Sequence, residues 1–77
     1  MTVKELKKEL EKLGVPDIYY SLVKGGTPNE RLCLVKNADS SWSVYYSERG
    51  EKDGMIHFDT ENAACEYMLN ELKEYIE

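Results

Sequence analysis

Histidine occurs once in the 77 residues, at His57, and cysteine twice, at Cys33 and Cys65. The cysteines stand far apart and form no CxxC pair, so a structural zinc site of the usual Cys/His kind is excluded. A Cys–His dyad can be drawn only from His57 with Cys33 or Cys65, and neither thiol has a helix N-terminus or basic cluster to lower its pKa. No catalytic centre is therefore expected, and no cofactor. Gly25-Gly26 is followed by no Gly-Lys-Ser/Thr and opens no helix, so it is not a phosphate loop. No apolar run approaches the ~18 residues of a membrane span. Met1 to Leu10 is charged and amphipathic, without the apolar stretch of a secretory leader. A cytoplasmic protein is expected, with both cysteines as small buried hydrophobes in a reducing compartment.

Positive charge is scarce in the second half. Met1 to Ala38 holds seven Lys/Arg and five Asp/Glu, a balance of +2; Asp39 to Glu77 holds three and ten, a balance of −7. The total of −5 repels nucleic acid and anionic membrane and attracts a basic partner. An aromatic sheet face could stack RNA bases, but the basic field that backbone binding needs is missing.

The length sets one domain, residues 1–77, with a thin core. Thr2-Val3-Lys4-Glu5 has the form of a capping box, and Val3, Leu6, Leu10 and Leu13 follow at helical spacing until Gly14 and Pro16. Four strands are expected: Asp17–Lys24, Arg31–Lys36, Ser41–Ser47 and Met55–Asp59. Gly25–Asn29, Asn37–Ser40 and the polar Glu48–Gly54 segment, ending in Asp-Gly, are the turns between them. A second helix, from about Thr60 to Tyr75 and capped by Asp59 or Thr60, carries an apolar stripe of Ala64, Cys65, Met68, Leu69, Leu72, Tyr75 and Ile76. Short connections predict an antiparallel meander. The fold class is thus α+β, in the order α-β-β-β-β-α. Both helices should cover the sheet face bearing Ile18, Tyr20, Leu22, Leu32, Leu34, Trp42, Val44, Tyr46, Ile56 and Phe58.

Six tyrosines in so short a chain favour a protein interface. Tyr20 and Tyr46 read as core, whereas Tyr19 and Tyr45 have the opposite parity, either presented outward or covering the sheet as cross-strand pairs. The acids beside them make Tyr45, Glu48, Glu51, Asp53, Glu61 and Glu66 the candidate partner-binding residues. Salt bridges Arg49–Glu61 or Arg31–Glu48 would instead make Glu48, Arg49 and Glu61 structural.

The run Trp42-Ser43-Val44-Tyr45-Tyr46-Ser47-Glu48-Arg49-Gly50 is followed by Phe58-Asp59-Thr60-Glu61 and Ala64-Cys65, and is preceded by Tyr19-Tyr20-Ser21-Leu22 and Asn29-Glu30-Arg31. From Pro16 to Leu72 this order of motifs resembles small bacterial immunity proteins, which are encoded beside polymorphic or contact-dependent toxins and neutralise them. The resemblance implies a small, acidic, cytoplasmic binder that occludes the active site of a toxin domain, and it assigns no binding residue. The alternative is a generic interaction or adaptor domain, homodimeric or pairing with a partner through its open sheet face or an edge strand.

Overall fold

The computed structural model describes residues 1–22 and 30–74. The expected Gly25–Asn29 loop, the Val23–Lys24 end of the first strand and the Tyr75–Ile76 end of the helical stripe lie outside the described residues. The elements are α1 (Val3–Leu13), a 3-10 turn (Asp17–Tyr19), β1 (Tyr20–Leu22), β2 (Arg31–Lys36), β3 (Trp42–Glu48), β4 (Glu51–Phe58) and α2 (Glu61–Lys73). The architecture is α+β, with one four-stranded sheet in the order β1-β2-β3-β4.

Both ends of α1 are closed as its sequence dictates. Thr2 Oγ1 accepts from the Glu5 amide at 3.2 Å, and Glu5 Oε1 accepts from the Thr2 amide at 2.9 Å. These bonds satisfy amides that the helix itself leaves unpaired, and they hold the Glu5 carboxyl below its ordinary pKa. Gly14, at φ 78, takes the left-handed turn. Its amide donates to Glu11 O and the Val15 amide donates to Leu10 O, which forms a Schellman motif. Leu6, Leu10 and Val15 are buried, but Leu13 is 39% exposed and does not belong to the apolar stripe. For α2, Thr60 rather than Asp59 is the cap, accepting from the Ala63 amide at 3.1 Å. Ala64, Cys65, Met68, Leu69 and Leu72 are all buried.

The sheet register aligns three apolar rows under the helices. Tyr20, Leu32 and Tyr46 form the first row. Leu22, Leu34, Val44 and Ile56 form the second, and Trp42 with Phe58 forms the third. With Leu6, Leu10 and the α2 stripe these residues make the core, except Ile56, which is expected on the covered face but is 38% exposed. Full burial of each aliphatic or aromatic side chain contributes about 1.5–3 kcal/mol.

Three expectations about the strands are corrected. First, β1 runs parallel to β2, with Tyr20 opposite Leu32, so only β2–β3 and β3–β4 are antiparallel. A parallel pair needs the chain to travel back along the strand. Because β1 has only three residues, that distance is roughly 10 Å, which a short connection spans. Second, Asp17–Tyr19 is a 3-10 turn and not strand, which leaves Ile18 58% exposed and off the covered face. Third, β4 begins at Glu51, not Met55. The hairpin turn is Arg49-Gly50, both at positive φ (50 and 82), as a two-residue type I′ turn requires. Asp53-Gly54 is no turn. Tyr46 pairs with Asp53 and Val44 with Ile56, so two residues of β4 face Tyr45 alone. Gly54, at φ 61, supplies the left-handed residue of this β-bulge.

Candidate functional site

The bulge decides which face the hairpin acids occupy. Uninterrupted alternation back from His57 would place Asp53 and Glu51 on the outer face, beside Tyr45. The extra residue at the bulge reverses that parity. Asp53 now lies opposite Tyr46, and Glu51 lies opposite Glu48, on the face that the helices cover further along. All three acids are exposed. Two carboxylates directly opposed across strands destabilise the pairing, by about 0.2–1 kcal/mol. Beyond the bulge, Ile56 is 38% exposed on the same face as the acids, whereas Met55, 40% exposed, lies on the outer face with His57. Acids and an exposed apolar side chain thus follow one another along β4, an edge of the sheet.

An open groove separates this hairpin from α2. Leu32 and Val44 floor it, Tyr46 and Tyr67 line it, and Asp53 and Glu71 carry its charge, with Gly54 beside them. Tyr67 stacks on Phe58 with centroids 5.4 Å apart. The Tyr67 hydroxyl is hydrogen-bonded to the Glu71 carboxylate, which raises the tyrosine pKa; burial adds to the effect.

The remaining candidates are dispersed. Tyr45 is only 5% exposed, and Lys52 Nζ sits 5.1 Å from its ring centre. It is a covered cross-strand partner of Cys33 rather than an outward anchor. Burial raises the pKa of both Tyr45 and Cys33, and the proximity of Cys33 raises that of Tyr45 further. Glu61 Oε2 accepts from the Val3 amide at 2.8 Å, so this carboxylate links the two helix starts. Glu61 follows the far end of β4, an eight-residue strand that spans roughly 25 Å, and Arg49 at the hairpin turn does not reach it. The alternative Arg31–Glu48 pair is also absent, because Arg31 shares the outer face with Ser47 while Glu48 faces the other way. Glu66 is exposed on the strip of α2 opposite its buried stripe.

The outer face carries a continuous polar chain. Asp39 Oδ1 accepts from the Ser41 amide and hydroxyl at 3.0 and 2.6 Å, which lowers the Asp39 pKa. Asn37 Nδ2 donates to Ser41 Oγ at 3.0 Å and to Ser43 Oγ at 2.9 Å. Ser43 Oγ is 2.8 Å from His57 Nδ1. A Ser–His hydrogen bond is the starting unit of nucleophilic catalysis. Here Ser43 is 1% exposed, so its hydroxyl offers an electrophile no approach, and the chain ties the β2–β3 turn to β4. Cys33 and Cys65 are free thiols, both buried, and burial pushes the Cys65 thiol up to about 11. Among the described residues, no three His, Cys, Asp or Glu side chains gather as metal ligands, and no helix is long and apolar enough to cross a membrane.

Sequence reasoning places Met55 outward and counts Glu71 among the acids of the surface, but does not single out Tyr67 and Glu71 as a pair facing the hairpin. The i, i+4 spacing of the last two was the available signal, but nothing local showed that the hairpin would face them. No protein-family model matches this chain, and neither a curated protein nor a solved structure is detectably similar to it.

Proposed function

We propose that this chain is an immunity-type protein that acts in the cytoplasm, binding a basic toxin domain and blocking it with the β3–β4 hairpin. The observation that carries the proposal is the unfavourable placement of Glu48 opposite Glu51, extended on the same face by Asp53 and followed there by the exposed Ile56. A strand pair arranged for stability alone would alternate charge at those positions. An acidic edge beside an exposed apolar side chain is what a basic partner would complement: the charges speed encounter, and apolar contact slows release. The toxin class rests on the resemblance of the sequence to immunity proteins.

Pairing through the sheet edge, as an adaptor or homodimer, is favoured less. The bulge at Gly54 and the carboxylates flanking it interrupt the hydrogen-bonding edge of β4. Two copies of the same acidic edge would also repel. Sedimentation is expected to give a monomer at all accessible concentrations.

The function is tested by reversing Glu48, Glu51 and Asp53 together to lysine and measuring association with the toxin domain recovered by affinity capture from the source cell. Glu61 is left intact because it holds α1 to α2. Association is expected to slow by about 10-fold or more at low salt, with a weaker salt dependence. Unchanged rate and affinity would remove the acidic-hairpin model.

A further inference from the structure

We infer that the groove between the hairpin and α2 receives an arginine side chain of the partner. The inference rests on the proposed reading of the protein as a binder of a basic protein.

The groove has an apolar floor, two aromatic walls and two carboxylates, and among the described residues no lysine or arginine lines it. Lys52, the only lysine of β4, lies on the opposite face of the sheet, over Tyr45. An anionic occupant would be repelled, and an apolar one would desolvate Asp53 and Glu71 without pairing them. A cationic side chain satisfies both constraints. Between the two cations, the guanidinium suits the lining better. It is planar, stacks on tyrosine and directs several donors to carboxylates, whereas an ammonium is a compact and strongly hydrated charge. The methylenes of arginine would lie on Leu32 and Val44.

The site is held in shape before any ligand arrives. Tyr67 is fixed by Phe58 on one side and by Glu71 at its hydroxyl. Glu71 follows Tyr67 by four residues and shares its helix face. Asp53 is aligned with Tyr46 by direct cross-strand pairing. Gly54 leaves the space open beside Asp53: a Cβ built there would meet nothing within 4 Å. Prior ordering of this kind lowers the cost of binding.

The test uses the whole chain, labelled with nitrogen-15, and titrates it with N-acetyl-arginine-N-methylamide. The corresponding lysine and citrulline amides are the controls. Saturable amide shifts are expected at Asp53, Gly54 and Glu71, about threefold or more weaker binding for the lysine amide, and none for neutral citrulline. The double variant Asp53→Asn/Glu71→Gln should keep the wild-type spectrum elsewhere and lose the shifts. Absence of saturable shifts at the groove, equal shifts with citrulline, or equal shifts on the Glu66 strip would overturn the inference. If arginine fails to bind while the hairpin reversal still weakens the toxin complex, the groove assignment falls and the function stands. If arginine occupies the groove while the hairpin reversal leaves toxin binding unchanged, the function falls and the groove remains a site for arginine.

Discussion

Strand β3 passes through two different surroundings within seven residues. At Trp42–Val44 it lies under α2: Val44 is 1% exposed, Trp42 is 9% exposed, and Ser43 on the reverse face is held by Asn37 and His57. At Tyr46–Glu48 it runs on into the hairpin, where its inward face meets Asp53 and Glu51 instead of Ile56 and Phe58. The first part maximises burial and satisfied hydrogen bonds. The second keeps like charges opposed, and its β4 partners Glu51, Lys52 and Asp53 are all exposed. The difference points to a division of labour, with one end of the strand serving stability and the other serving recognition.

Substitutions should separate the two ends, with the largest losses in the covered part. Leu34→Ala removes a fully buried side chain from the middle row and should cost about 2–5 kcal/mol in denaturant unfolding. A loss well under 1 kcal/mol would show that the covered end is no better packed than the hairpin. Ser43→Val leaves Asn37 and His57 without their shared partner and should cost about 1–3 kcal/mol. Thr60→Ala removes the α2 cap and should cost about 1 kcal/mol, which thermal unfolding resolves.

Alkali offers a second way to distinguish the regions. The Cys65 thiol is raised to about 11 from an ordinary value of 9.0. A raised folded-state pKa contributes stability that is fully present below the unfolded value and is lost as pH rises through the folded one. Melting temperature should therefore decline between pH 9 and 11, and Cys65→Ala should flatten that decline. At neutral pH neither buried thiol should react with a disulfide reagent until the protein unfolds.

The smallest expected effect has the opposite sign. Glu48→Lys turns the Glu48–Glu51 repulsion into attraction and should stabilise the fold by about 0.2–1 kcal/mol. A destabilised variant would mean that Glu48 has a structural partner that this account omits.

The helices and most of the covered face, though not Ile18 and Ile56, were legible because each follows from local periodicity, caps and turn chemistry. Thr2, Gly14 and Thr60 act where their residue types predict. The direction of β1 was not legible, because strand pairing depends on how far the chain must return, and the 3-10 turn at Asp17–Tyr19 shortened that distance. The position of the hairpin turn was misread for a related reason. Asp53-Gly54 is the stronger local turn signal, yet Arg49-Gly50 closes the hairpin and Gly54 serves the bulge. The one extra residue of that bulge places Glu51 and Asp53 on the face of Tyr46 and Tyr67 rather than on that of Tyr45. The acidic character of the site could be read from composition, but its location required the register.

The most direct test of the division of labour is to measure Glu48→Lys twice, for unfolding free energy and for affinity toward the captured toxin domain. The account predicts that stability stays level or rises while the complex weakens severalfold. A variant that loses stability yet binds as tightly as the parent would contradict it.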